Sequence, residues 1–321
     1  MTEGKEDSPV ASLSSVRSIL FGSEEEDEVV ASIDATGAFL QSPEFSPEDP
    51  PRYAQIRQYR GGPVRLFRLK GALYGQRDAP RRWYETIRPQ LESWGFKPSP
   101  NDPCAMVNIK TGVKLALVVD DILTKGRKSE VESLMHEMQK AFKCTDPEYL
   151  ATDSPLDFLG FRLTMGVVDG VKQYWMDQES EVIQFCTDHD IKVVGEVDCP
   201  MPTREALFRD MTPLTGDEVT EFRSIVGGLA WFGVSLRWDI TQSVNRLQQF
   251  GQAPHRSALS CAMRVCSYVY NTRDFKLGGS IVPKCSNKFE FFSDSDVVGD
   301  RQVTKKSRSG VLITLNNIPI H

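Results

Sequence analysis

Three carboxylates stand where chemistry could occur. Asp120 and Asp121 interrupt the apolar run KLALVVDDIL at residues 114–123, and Asp34 ends the run VVASID at 29–34. Two adjacent charges at the tip of a buried strand are costly unless a cation meets them. Asp34 and Asp120 lie 86 positions apart (120 minus 34), so only the fold could bring them together. A gathered set of this kind could share a proton or bind a divalent metal, and oxygen-only ligands suit Mg²⁺.

The elements that must position these acids can be read from periodicity and caps. Residues 29–34 read as a strand, and 104–109, 113–119 and 122–124 read as further strands, which puts Asp120 and Asp121 at a hairpin tip. A helix is expected from Asp78 as N-cap, with Pro80 in its first turn and Trp83, Ile87, Leu91 and Trp94 at helical spacing. Pro89 inside that pattern implies a kink. Ser129 with Glu132 predicts a capping box, followed by the amphipathic stripe Val131, Leu134, Met135, Met138 and Phe142. Residues 156–167 read as a closing strand. The order is β-α-ββ-α-β, in which the first strand lies beside the third and Asp34 faces the hairpin tip. From about residue 170 the pattern turns helical, over 177–188, after a second capping box at Thr215 and Glu218, and over 239–250 and 257–270. Strand-like segments return at 288–296 and 309–315.

Composition excludes several classes. No apolar run in the 321 residues approaches a membrane span, and the acidic, polar start MTEGKEDSPV has no signal-peptide character, so an intracellular protein (cytoplasmic or nuclear) is expected. Seven scattered cysteines and four dispersed histidines give neither a disulfide framework nor a zinc site. Net charge is −6, but it is unevenly placed. Residues 24–28 read EEEDE and are expected to form an acidic linker. Residues 52–88 carry ten basic residues against Asp78 and Glu85, interleaved with Tyr53, Tyr59, Phe67, Tyr74, Trp83 and Tyr84. Cations among aromatics suit a phosphate backbone with stacked bases, and a solvated charged face has the same composition.

The motifs together resemble the reverse transcriptase region of a copia-type retrotransposon Pol polyprotein. SPVASLSSVRSIL (8–20), SIDATGAFLQ (32–41), LKGALYGQRDAPRRWYETI (69–87), LALVVDDIL, DFLGFRL, EFRSIVGGLAWFGVSLRWDITQSVNRLQQF and FFSDSDVVGDRQVTKKSRSG are similar to that family's motifs and occur in its order. Val118 stands where the family's catalytic hairpin has tyrosine.

The resemblance implies an α+β fold: a right-hand polymerase palm (βαββαβ, ferredoxin-like) with partial fingers, a helical thumb or connection and a truncated ribonuclease H-like module. The implied domains are 1–28 (a remnant of a fingers helix and the acidic linker), 29–168 (palm with fingers insertions), 169–275 (thumb/connection) and 276–321 (start of ribonuclease H). Asp34, Asp120 and Asp121, with the carbonyl of Ala35, would hold two Mg²⁺ ions, or Mn²⁺. Phe39, Tyr74, Gly75 and Pro80 would contact the incoming nucleotide. Arg77, Arg81, Arg82, Phe158, Leu159 and Gly160 would contact primer or template, and Asp294 matches the first ribonuclease H aspartate.

Implied partners are an RNA or DNA template-primer and dNTPs, with no membrane. Protease, integrase and Gag segments are absent, the family's upstream fingers strands would precede Met1, and no ribonuclease H activity is expected. Two readings stay open: an RNA-directed DNA polymerase adding dNTPs to a primer 3′-hydroxyl, or a catalytically inactive remnant that only binds nucleic acid.

Overall fold

The computed structural model describes residues 7–57, 59–193, 195–201, 203, 205–283, 286–295, 307 and 309–321. It is a mixed α/β structure with antiparallel sheets, in two units. One runs to Phe158 and includes 281–288; the other comprises 159–280 and 289–319.

In chain order the first unit contains α1 (Leu13–Phe21), β1 (Glu28–Asp34), β2 (Tyr53–Arg57), β3 (Val64–Arg68), α2 (Ala79–Ser93), β4 (Phe96–Pro98), β5 (Ala105–Asn108), β6 (Lys114–Val118), β7 (Asp121–Arg127), α3 (Lys128–Ala141), β8 (Glu148–Tyr149) and β9 (Leu156–Phe158). Its main sheet has the order β4-β5-β6-β7-β1-β8. The expected β-α-ββ-α-β core is therefore present, with β1 beside β7. Its last strand is β8, which pairs with β1 through Ala31–Tyr149 and Ser32–Glu148. The expected closing strand at 156–167 is instead two strands, broken at Leu159 and Gly160, both with positive φ (55° and 74°).

Helix α3 buries Val131, Leu134, Met135 and Met138, the stripe read from sequence. The Ser129–Glu132 capping box does not form. β7 runs on to Arg127, the helix starts at Lys128, and Ser129 falls inside its first turn. Helix α2 buries Trp83, Ile87 and Leu91 and continues through the exposed Pro89 to Ser93.

Within the acidic run 24–28, Glu26 and Asp27 are exposed, but its two ends are not. Glu24 and Glu28 are buried, and Glu24 pairs with the fully buried Lys125 of β7 at 2.9 Å. The Lys125 ammonium also donates to the carbonyls of Leu20 (2.9 Å) and Gly22 (2.8 Å). All three of its donors are thus used, two of them on the C-terminal carbonyls of α1, where a cation is favoured. Burial pulls this ammonium down to about 8, against the opposing pull of Glu24.

The second unit holds β10 (Phe161–Val168), β11 (Val171–Asp177), α4 (Glu179–Asp188), α5 (Asp217–Ser235), α6 (Thr241–Gln248), α7 (Arg256–Asn271), β12 (Leu277–Ser280), β13 (Phe289–Ser295), β14 (Ser309–Leu315) and β15 (Ile318–Pro319). Strands β10, β11 and β12 pair in that order, as do β13, β14 and β15. Phe222, Ile225, Leu229, Ile240, Val244, Leu247, Ala262 and Val265 form its helical core. Gly216 rather than Thr215 is the N-cap of α5, but Glu218 still accepts from the Thr215 N–H at 3.4 Å, one half of the expected box.

Arg237, almost fully buried, forks onto Asp239 (3.1 and 2.8 Å) and donates to the carbonyls of Val269 and Thr272 at the end of α7. Among the described residues the six cysteines are free thiols, and Cys285 lies outside them. No described helix is long and apolar enough to cross a membrane.

Adjacent glycines in α5 differ in their surroundings. A methyl at Gly228 would overlap the Phe185 ring of α4, whereas one at Gly227 meets open space. Gly228→Ala is expected to destabilise by about 1–3 kcal/mol through overpacking. Gly227→Ala is expected to stabilise by up to about 1 kcal/mol through helix propensity. Urea melts of the two variants check this; equal effects would contradict the α4–α5 contact.

Candidate active site

The register of β1 against β7 sets Asp34 directly opposite Asp121. Opposed residues in an antiparallel pair project to the same face with Cβ atoms about 4.5–5.5 Å apart. Asp120 belongs to the two-residue turn Val119–Asp120 that joins β6 to β7, above the closing pair Val118–Asp121. Its carbonyl accepts from the Ala35 N–H at 2.9 Å, which ties the tip of the turn to the end of β1. The loop after α3 fastens the other side: Thr145 N–H donates to the Asp34 carbonyl (2.9 Å), and Thr36 N–H donates to the Lys143 carbonyl (2.9 Å).

Val119 has φ +57°, a left-handed conformation unusual for a β-branched residue. Trp83 of α2, only 1% exposed, holds it there by donating its indole N–H to the Val119 carbonyl at 2.6 Å. The Trp83 ring meets Phe142 edge-on at 5.3 Å. Sequence periodicity places Trp83 in the α2 core and misses this bond. A buried indole demands an acceptor, and a valine within a two-residue turn demands a restraint, so the two signals together point to it.

Among the described residues none of Asp34, Asp120 and Asp121 makes an ion pair. Burial, then Asp120 and Asp34, pushes the Asp121 carboxyl up to about 6. Burial and Asp120 raise Asp34. The Tyr74 hydroxyl is raised by burial and by Asp120 and Asp34, so it stands in the same negative field. The Cys144 thiol is pushed up to about 11 by burial and by Asp34.

Of the aromatic and glycine residues named from the sequence, Tyr74 stands in this field and Phe39 packs against it. Phe39, in the single turn Ala38–Gln41, lies 4.6 Å from the Tyr74 ring at 40°. Gly75 has φ +92°, with open space where a Cβ would stand. Pro80 occupies the first turn of α2.

The basic residues named there have various partners. Arg81 pairs with Glu85 at 2.6 Å, and Arg82 pairs with Asp78 at 3.0 Å and Asp49 at 3.5 Å. Arg52 also pairs with Asp78 at 2.6 Å, holding that carboxyl down at about 2. Arg77 is exposed just before α2. Phe158 is buried at the end of the first unit, while Leu159 and Gly160 open the second. Asp294 lies exposed on β13 in the second unit.

The donor set suits a hard divalent cation: it is oxygen-only, and the charge of Asp120 raises the proton affinity of Asp34 and Asp121. Among the described residues no group of three or more His, Cys, Asp or Glu side chains closes into a ready metal cage. Mg²⁺ characteristically keeps several waters and uses one or two carboxylates plus substrate phosphates, so an open set of this kind fits it.

Residues 3–187, more than half the chain, match the profile of the family described as reverse transcriptase (RNA-dependent DNA polymerase). The chain is 28% identical to the retrovirus-related Pol polyprotein from transposon RE1 of Arabidopsis thaliana, over 98% of this chain and 20% of that protein. It is 25% identical to the Pol polyprotein from transposon TNT 1-94 of Nicotiana tabacum, over 96% of this chain and 23% of that protein. The Ty1-JR2 Gag-Pol polyprotein of Saccharomyces cerevisiae is 24% identical over 78% of this chain. The chain spans about a fifth of the length of the first two relatives.

The raised Asp121 carboxyl has a stability signature. The folded state binds this proton up to about pH 6, whereas the unfolded chain releases it near 3.8. Folding stability contributed by this group therefore falls as pH rises from about 4 to about 6, by on the order of 1 kcal/mol once solvent screening of this half-exposed carboxyl is allowed for. Metal-free Asp121→Asn is expected to lack that decline and to be the more stable protein at pH 7. Denaturant melts of both proteins across this window check it; superimposable pH profiles would contradict the carboxylate coupling.

Proposed function

The chain belongs to the reverse transcriptase (RNA-dependent DNA polymerase) family, and from that premise we propose that it carries the nucleotidyl-transfer centre of a copia-type Pol polyprotein. The six-stranded sheet with α2 and α3 is read as the palm, β2 and β3 as part of the fingers, and the α4–α7 segment as thumb or connection. The β13–β15 sheet is read as the start of a ribonuclease H-like module. The observation that carries the proposal is the register pairing of Asp34 with Asp121, with Asp120 in the adjoining turn.

In this reading the three carboxylates and the carbonyl of Ala35 hold two Mg²⁺ ions. When bound, these lower the pKa of the primer 3′-hydroxyl and neutralise the triphosphate as pyrophosphate leaves. The protein's own contribution is placement. The strands fix the carboxylates, and a ligand misplaced by about 1 Å can cost ~10²-fold in rate. Asp121 must give up its proton before it can serve as a ligand, which disfavours binding below about pH 6. In this reading the Phe39 ring, which packs on Tyr74, would exclude a ribose 2′-hydroxyl and so favour dNTPs. Gly75 leaves the space beside Tyr74 open to the nucleotide.

Primer extension on poly(rA)/oligo(dT) with Mg²⁺ or Mn²⁺ tests the proposal. Extension that falls by ~10²-fold or more in Asp120→Asn is the expected outcome. Template-primer binding with no extension at any metal concentration would leave the second reading, a non-catalytic nucleic-acid binder.

A further inference from the structure

We propose that Gln41 is a positioning residue that sets how strictly a ribonucleotide is excluded, by clamping the turn that carries Phe39 onto the loop that also holds Asp34. The inference rests on the nucleotide-site reading of Phe39 and adds the group that keeps its ring in place.

Phe39 sits in a four-residue turn, Ala38–Gln41, that has little of its own to hold it. The turn closes through the Leu40 N–H on the Gly37 carbonyl (2.9 Å) and the Ser42 N–H on the Phe39 carbonyl (3.3 Å). Ala38 is its buried residue, and Leu40 is 61% exposed. Gly37, at φ +65°, joins the turn to β1 and acts as a joint rather than a brace. Short 3₁₀ turns are weak in themselves. Yet a ring that must refuse one hydroxyl group has to be placed to within about 1 Å.

The Gln41 side chain supplies the restraint. Its amide oxygen accepts from the Lys143 N–H (2.7 Å). Its amide nitrogen donates to the carbonyls of Lys143 (2.9 Å) and Thr36 (3.1 Å), so both amide hydrogens are used. The exchange with Lys143 copies the two-bond pair of an antiparallel backbone ladder. Fixing a long side chain costs rotamer freedom, which three bonds to two separate segments offset.

The far end of the clamp also serves Asp34. Two residues beyond Lys143, Thr145 donates its N–H to the Asp34 carbonyl (2.9 Å) and accepts the Asp34 N–H at its hydroxyl (3.2 Å). One residue before Lys143, Phe142 meets the Trp83 ring. Residues 142–145 are therefore a common reference for the carboxylates and for the aromatic turn. The Thr145 bonds to Asp34 do not pass through Gln41, so its loss frees the ring before it frees the acid.

The test uses the full chain on a poly(rA) template with an oligo(dT) primer that ends in a dideoxynucleotide. Affinities of this complex for dTTP and for UTP are measured with Mg²⁺ present. No bond can form, so the readout is sugar selection rather than catalysis. Gln41→Met keeps the length of the side chain but has no amide. It is expected to lower the dTTP/UTP affinity ratio ~10-fold, the worth of one or two hydrogen bonds. Gln41→Glu keeps the acceptor but turns a carboxylate oxygen onto two carbonyls, and is expected to lose at least as much. Phe39→Ala is expected to remove most of the preference. Adding Gln41→Met to it should change the ratio by less than twofold, because Gln41 acts through the ring.

A Gln41→Met protein that melts lower but keeps the wild-type ratio would make these bonds merely structural and overturn the proposal. An effect of full size on top of Phe39→Ala would overturn it too. A wild type that binds neither nucleotide removes the nucleotide-site reading and this proposal with it. A wild type that selects dTTP here, yet extends no primer bearing a 3′-hydroxyl, would count against the catalytic reading and leave this one standing.

Discussion

One hydrogen bond, donated by a buried indole, decides where the acids of this site stand. The Val119–Asp120 turn is only two residues long and sets Val119 at φ +57°. Glycine adopts such a conformation readily; a valine held there costs of order 1–3 kcal/mol unless its surroundings over-determine it. Trp83 supplies that restraint through its bond to the Val119 carbonyl, and the Ala35 N–H supplies a second through the Asp120 carbonyl. Because Trp83 lies on α2, immediately after the Tyr74–Gly75 loop and Pro80, the bond also couples the aromatic side of the site to its carboxylates.

The distribution of cations follows the same division. Lys125 lies only four residues beyond Asp121, yet its ammonium is committed to Glu24 and to the end of α1. Arg52, Arg81 and Arg82 are committed to Asp78, Glu85 and Asp49. The internal cations therefore close structure, and the three acids at the tip of the β6–β7 hairpin have no ion-pairing partner among the described residues. A like-charged cluster of this kind is destabilising by itself and favours occupancy by an external cation.

Much of this was legible in the sequence because the relevant signals are local and redundant. The apolar run broken by Asp120 and Asp121 marks a hairpin tip, and the Val131–Met138 stripe marks α3. What was not legible depended on length or on tertiary competition. β8 is two residues long and carries no period. The Ser129–Glu132 box was overridden because β7 extends to Arg127 through its pairing with β1. The burial of Glu24 in the acidic run 24–28 was not legible because the demand of the buried Lys125, a hundred residues away, cannot be seen locally. The β10–β11 hairpin did carry a usable sign: Asp169 and Gly170, both at positive φ, form an Asp-Gly turn between two strands.

The most direct test of this account is the Mn²⁺ affinity of Trp83→Phe, alone and combined with Val119→Gly, measured by calorimetry. The single substitution keeps an aromatic ring but removes the donor, and the affinity is expected to fall ~10-fold or more as the turn relaxes. Glycine accepts the left-handed conformation without help, so the double variant is expected to regain most of the loss, although it repairs no packing. A Trp83→Phe protein that binds Mn²⁺ as tightly as the wild type, or a double variant no better than the single, would contradict it.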